Sequence, residues 1–218
     1  MFEGPETLSP YPGLRPFEQH ESTIFFGREP HVERLLEILR KERFLAVIGP
    51  SGSGKSSLVR AGMLPALLAG WTGTAGEWRI ALMRPGDRPI RQLARALIEP
   101  AALGVELLGD GDSSGHAAAP IEAELRRGPL GLFQLLEDAR RSARGRRSLD
   151  LLVLVDQFEE IFRYADRGGS QADESDAFVD MLLESRAVAE SHIHVVLTMR
   201  TDFLGPCVRF LALPEAIH

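Results

Sequence analysis

Phe44-Leu45-Ala46-Val47-Ile48-Gly49-Pro50-Ser51-Gly52-Ser53-Gly54-Lys55-Ser56 is the stretch that decides the fold. Its last eight residues satisfy G-x-x-x-x-G-K-[ST] at every fixed position. The five apolar residues before them read as a buried strand. Ser57-Leu58-Val59-Arg60-Ala61 after them reads as the opening of a helix. Strand, glycine-rich loop and helix together are the context in which this motif carries meaning. Glycines let the backbone curl so that successive N–H groups converge on phosphate oxygens, and the helix behind adds its positive end. Gly49, Pro50, Ser51, Gly52, Ser53, Gly54, Lys55, Ser56 and Ser57 are therefore candidates for a phosphate cradle. Lys55 is placed to reach the β- and γ-phosphates, and the Ser56 hydroxyl to hold Mg²⁺. Of 25 Lys plus Arg, only Lys41 and Lys55 are lysine. An arginine-committed sequence keeps a compact ammonium where the loop needs one.

Outward from this stretch the pattern is α/β. Pro30 to Glu42 reads as a helix with Val32, Leu35, Leu36 and Leu39 on one face. The helix after the loop runs to about Leu68. Arg79–Met83 reads as a second strand, Pro89–Leu97 as a helix, and Ile121–Arg127 and Leu130–Arg144 as two more. Leu149–Val155 is nearly continuously apolar, as a strand buried on both faces must be. Helices are expected over 158–164 and from about Glu174 to Glu190, then a fourth strand over Ile193–Met199, with Thr201-Asp202 as the cap of a last short helix. Strands alternating with helices call for a parallel sheet covered on both faces, a three-layer αβα arrangement. Residues 1–23 read as irregular, because prolines at 5, 10, 12 and 16 forbid a helix there, while aromatic residues tie the segment down. The glycine-rich turns over 70–76, the polar loop at 109–119, the basic close Gly145-Arg146-Arg147 and the polar loop at 166–172 separate the elements.

Composition limits the options. A chain of 218 residues with 44% hydrophobic content can bury a full core. A net charge of −6 argues against broad nucleic-acid or membrane-surface binding. Cys207 is the single cysteine, so no internal disulfide forms, which suits a cytoplasmic protein. It reads as a packed thiol, with no matched His or Asp beside it. No apolar run reaches membrane-spanning length, and no basic-then-apolar leader is read at the start.

Other residues extend the chemistry. Asp156 ends an apolar strand downstream of the glycine-rich loop, where an aspartate that holds Mg²⁺ belongs. Capping the following helix is its alternative role. Gln157 follows directly, so a carboxylate that positions attacking water must be Glu159 or Glu160, and the sequence leaves the two equal. Arg200 ends the fourth strand. If that strand lies between the first and third, Arg200 faces the γ-phosphate side; otherwise it is a surface arginine. In Phe26-Gly27-Arg28-Glu29, Gly27 could let backbone pass a base and Arg28 could touch ribose or phosphate. His192 and His194 share a strand face but lack a third metal ligand, so they read as ordinary strand residues. Arg140, Arg141, Arg144, Arg146 and Arg147 read as a solvated helix end, with nucleic-acid contact as the sharper alternative.

The ordered set PYPGLRPF, FFGRE, FLAVIGPSGSGKSSLVRAGMLPAL, RPGDRP, LLVLVDQFEE and VVLTMRTDF resembles the novel STAND class of signalling NTPases over nearly the whole chain. The resemblance implies an ASCE/AAA+-like P-loop NTPase core over 31–218 (Walker A 49–56, Walker B 151–156, sensor strand 193–200). It also implies a segment 1–30, with Phe26 and Arg28, packing near the nucleotide base. Lys55 and Ser56 take the Walker A roles, Asp156 the Walker B role, Glu159 and Glu160 match the acidic pair, and Arg200 matches the sensor arginine. Such proteins resemble NLR-type and apoptotic ATPases and act as switches. ADP holds the resting state, and ATP exchange permits homo-oligomerisation and activation of sensor and effector domains on the same polypeptide. The family's fifth strand, helical lid and winged helix are not found before His218, which puts efficient hydrolysis and the switch in question for this stretch. Three other classes share features. An ABC-type ATPase would need an LSGGQ-like signature before Leu151, and none is present. An initiator-type DNA-associated ATPase shares Gly-Arg-Glu but needs a winged helix. A small-molecule kinase needs an arginine-bearing lid; only the 109–119 loop could serve, and it lacks arginine.

Overall fold

The structure, a computed structural model, describes residue 13 and residues 15–70, 76–108, 118–143, 149–165, 170–188, 191–210 and 212–217. Expectations for residues 1–12, the turn over 71–75, the loop over 109–117, Arg144, Arg146 and Arg147, and the loop over 166–169 lie outside the described residues.

Four strands form one sheet: β1 (Phe44–Gly49), β2 (Glu77–Met83), β3 (Leu149–Val155) and β4 (Ile193–Arg200). All pairings are parallel and the order is β1-β4-β3-β2. Strand alternation sorts the core into two layers. Leu45, Val47, Ile80, Leu152, Leu154 and Val196 face α1 (Glu29–Glu42) and the helix that follows the loop. That helix comprises α2 (Lys55–Ser57), a π-helical turn (Leu58–Met63) and α3 (Leu64–Leu68). Phe44, Ala81, Met83, Leu151, Val153, Val155, Val195 and Leu197 face the other way. They meet α4 (Pro89–Leu97), α6 (Ala118–Leu125), α7 (Gly131–Ser142) and α9 (Ser170–Ala187); a short α5 (Gly104–Leu108) lies between α4 and α6 in sequence. α8 (Glu160–Ala165) follows β3, and α10 (Leu213–Ala216) lies near the end. The result is the expected three-layer α/β fold. Every residue of β3 is buried, which is why its apolar run has no polar alternation.

Some elements differ from the sequence expectation. Gln19–Ile24 forms a 3₁₀ helix inside the segment expected to be irregular. It starts after Pro16, so the prolines do not interrupt it. The helix after the loop widens at Leu58–Met63, where Leu64 N–H bonds the Val59 carbonyl five residues back. α5 lacks a sufficiently long periodic pattern to be read as a helix. Thr201 and Asp202 lie within a 3₁₀ turn (Thr201–Phe203) rather than capping a helix.

His192 precedes β4 and pairs with Asp150 at 2.7 Å, whereas His194 is buried with its ring edge-on to Trp78, centroids 4.8 Å apart. No cluster of three or more His, Cys, Asp or Glu side chains that could hold a metal forms among the described residues. Burial pushes the His194 pKa down to about 4; Asp150 opposes this, while Arg43 and His192 reinforce it. The unfolded chain therefore binds a proton near the ordinary pKa of about 6.5 that the folded chain refuses. Stability contributed by neutral His194 is present above that pH and is lost as pH falls toward 4. Between pH 6.5 and 5 the expected loss is roughly 2 kcal/mol. Urea unfolding at both pH values checks this, and His194→Phe should flatten the difference. An unchanged pH slope in the variant contradicts it. Cys207 is buried too, its pKa pushed up to about 11 by desolvation, as an inert packed thiol requires.

Candidate functional site

The glycine-rich loop crosses the C-terminal edge of the sheet. Gly54, at φ 82°, adopts a left-handed conformation that an L side chain resists, and Gly52 does the same at φ 75°. These two residues let the loop fold back over the start of α2. Lys55 Nζ donates to the carbonyls of Gly49 (2.9 Å) and Pro50 (2.8 Å). Its pKa is lowered, chiefly by desolvation, with Glu159 and Asp156 opposing and Arg200 adding to the shift.

Alternation along β3 and β4 aims Asp156 and Thr198 at this helix, on the face of Leu152, Leu154 and Val196. Asp156 is fully buried. Its Oδ1 accepts from Ser56 Oγ at 2.7 Å and from Thr198 Oγ1 at 2.6 Å. Its Oδ2 accepts from Arg60 Nη2 at 2.8 Å, and Arg60 Nη1 reaches Glu18 Oε1 at 2.7 Å. Ser56 and Asp156 stand 100 residues apart in sequence and meet in one hydrogen bond. The helix-cap role for Asp156 is thus not the one the structure displays, since its carboxylate points at the loop helix. Gln157 takes a left-handed φ of 59°, a conformation that costs a non-glycine residue about 1–2 kcal/mol. Its N–H donates to Thr198 Oγ1 at 3.0 Å, and Phe158 N–H to the Thr198 carbonyl at 2.9 Å. This turn separates the two acidic residues. Glu159 is buried, lines the cleft beside Lys55, and leaves Oε2 without a hydrogen-bond partner among the described residues. Glu160 instead accepts from Gly86 N–H at 3.1 Å.

A cleft of about 500 Å³ lies over these groups. Ser51, Gly52, Gly54, Lys55, Ser56, Ser57, Gln157, Glu159, Thr198 and Arg200 line it, joined by Gly13, Arg15, Pro16, Phe17 and Arg84. β4 does lie between β1 and β3, so Arg200 stands level with Gly49 and enters the cleft wall. Its guanidinium pairs with Asp202 and sits over the Phe203 ring. Phe26 and Arg28 are not among the cleft-lining residues. Phe26 is 75% exposed, and Arg28 borders a separate hollow with Phe25, Val32 and Gly62 behind the loop helix.

The N-terminal contribution comes from residues earlier than Phe26. Phe17 N–H donates to Ser57 Oγ at 3.1 Å. Arg15 grips the buried Glu21 through two bonds of 2.6 Å, and Glu21 also accepts from Glu18 N–H at 2.8 Å. The Arg15 guanidinium, with that N–H, holds the Glu21 pKa down to about 2. Thr198, Arg60 and Arg84 were not singled out from the sequence. Two signals exist for them: Thr198 shares a strand face with Arg200, and Arg60 stands one turn after Ser56.

The hard oxygens of Ser56, which lines the cleft, and of Asp156 behind it suit Mg²⁺, which takes few protein ligands and keeps part of its hydration. A parallel sheet in this order, with a glycine-rich loop after its first strand, defines a P-loop NTPase-like protein. The family model of Novel STAND NTPase 1 matches residues 10–218, and the chain belongs to that family of nucleotide-binding modules. Comparison with curated proteins and with solved structures gives no match. No helix among the described residues is long and apolar enough to cross a membrane.

Proposed function

We propose that this chain is the ATP- and ADP-binding switch module of a STAND-type signalling NTPase, with slow Mg²⁺-dependent hydrolysis. The observation that carries this is the junction of Ser56, Asp156 and Thr198 beneath the glycine-rich loop. Gly13, Arg15, Pro16 and Phe17, rather than Phe26 and Arg28, supply the N-terminal wall for base and ribose. Lys55 and the loop N–H groups bind phosphate oxygens. Ser56 and Asp156 hold Mg²⁺, which when bound would neutralise charge on the phosphates. Glu159 orients the attacking water, because it lines the cleft and keeps one buried carboxylate oxygen without a hydrogen-bond partner among the described residues. In the full signalling protein, nucleotide exchange would govern homo-oligomerisation and the sensor and effector domains. The family's usual cytoplasmic setting and bacterial origin belong to the same proposal.

Two features make hydrolysis slow. Arg200 must leave Asp202 before it can touch phosphate, and Gln157 stands where many related ATPases place a glutamate. Turnover below roughly 1 s⁻¹ is expected from the purified chain. Glu159→Gln should lower the residual rate by on the order of 100-fold while ATP affinity stays within about threefold. Calorimetric titration with ATP and ADP, followed by phosphate release, tests both statements. Absence of binding, or brisk turnover by the monomer, would remove the switch assignment. An ABC-like or initiator-type ATPase has no particular feature of the structure in its favour.

A further inference from the structure

One more cation enters the cleft, from an element outside the loop and outside β4. Arg84 follows β2 in Met83-Arg84-Pro85-Gly86. Met83 pairs with Val155, and Asp156 N–H donates to the Met83 carbonyl at 2.8 Å, so Arg84 stands level with Asp156 on the neighbouring strand. It lines the cleft, and its Nε lies 4.0 Å from Asp156 Oδ2. Arg15 and Arg200, the other cleft arginines, hydrogen-bond to Glu21 and Asp202. Among the described residues Arg84 has no hydrogen-bond partner, and its side chain is half exposed toward the cleft. A guanidinium carries five donors in a fixed fork that matches phosphate oxygens.

The turn that presents Arg84 is held in place. Pro85 is buried, and Gly86 sits at φ 58° and donates its N–H to Glu160 Oε2 at 3.1 Å. Consecutive residues at a helix start project about 100° apart. Glu159 and Glu160 are therefore divided: one faces the cleft, the other clasps the turn after β2.

We infer that Arg84 contacts the terminal phosphate of a bound nucleoside triphosphate, and that Glu160 is the positioning residue that latches the Pro85-Gly86 turn presenting it. This rests on the nucleotide-binding function proposed above. ADP lacks the terminal phosphate, so the contact discriminates ATP from ADP without any chemical step. Glu160 then has no part in activating water.

Affinities of the 218-residue chain for ATP and ADP, each with Mg²⁺, test this by calorimetry before turnover. Arg84→Ala should weaken ATP by on the order of tenfold and ADP by less than about threefold, the loss of one charge-assisted contact. Glu160→Ala should reproduce the selective loss, and the double variant should lose no more than either single one. Glu160→Gln keeps an amide oxygen that accepts from Gly86 N–H and should restore the wild-type ATP-to-ADP ratio. An unchanged ratio in Arg84→Ala overturns the inference. Equal impairment of Glu160→Gln and Glu160→Ala overturns the latch, because charge and not acceptance would then be required. Melting curves show whether each variant is folded; Arg84 is half exposed, so its variant stays informative if Glu160→Ala unfolds. Loss of binding in Lys55→Ala with an unchanged ratio in Arg84→Ala refutes this inference alone. A wild-type chain that binds neither nucleotide refutes the nucleotide-binding function as well.

Discussion

Lys55→Ala is expected to abolish measurable binding of both ATP and ADP while the domain stays folded. The ammonium lies at the mouth of the loop, held by the Gly49 and Pro50 carbonyls, and it is only partly buried. It anchors no hydrophobic contact of either core layer. Charge-assisted bonds are worth about 1.5–3 kcal/mol each, so losing two to phosphate lowers affinity by on the order of 100-fold or more. A thermal melt reads this directly. Nucleotide at about 100 times its Kd adds roughly 2.7 kcal/mol to the folded state. For a chain of this size that raises Tm by about 5–10 °C. Wild type should show the rise and Lys55→Ala none. Equal shifts in the two proteins would sink the phosphate role of the loop.

Asp156→Ala carries the second large effect, and it falls on stability as well as on ligand binding. Asp156 is fully buried and receives Ser56, Thr198 and Arg60. The Arg60 side chain is only 12% exposed. Removing the carboxylate leaves that guanidinium with Glu18 alone, and breaking a buried pair this way costs about 3 kcal/mol. Tm should fall by about 6–12 °C. Asp156→Asn keeps an acceptor for Ser56 and Thr198 and should fall less. In the asparagine variant Mg²⁺-dependent ATP binding should weaken more than ADP binding, because Mg²⁺ held by Ser56 and Asp156 would offset phosphate charge, of which ATP carries more. A melt of Asp156→Ala within about 2 °C of wild type would show that the pair contributes nothing to the fold.

Sequence was a good guide wherever a short-range pattern sufficed. The glycine-rich loop announced itself through spacing, and β3 through seven residues with no polar break save Asp150. Asp156 could be singled out because it ends that run. Glu159 and Glu160 could not be separated, because nothing in Asp-Gln-Phe-Glu-Glu shows that Gln157 turns left-handed and rotates the next residues. Phe26 and Arg28 looked suited to the base end, yet Gly13, Arg15, Pro16 and Phe17 line the cleft instead. Phe17 reaches Ser57 across 40 residues, a contact with no local signature.

The sequence by itself determined the local states: a strand, a phosphate-type loop, a helix, and the alternation of apolar residues that demands two covering layers. Those follow from steric and hydrophobic preferences acting over a few neighbouring residues. Only the tertiary structure decided that β4 lies between β1 and β3, that Thr198 and Arg60 close on Asp156, and that Glu160 holds the turn bearing Arg84. Strand order and carboxylate partners are set by which surfaces bury best together across long loops, and one-dimensional periodicity carries no record of that choice.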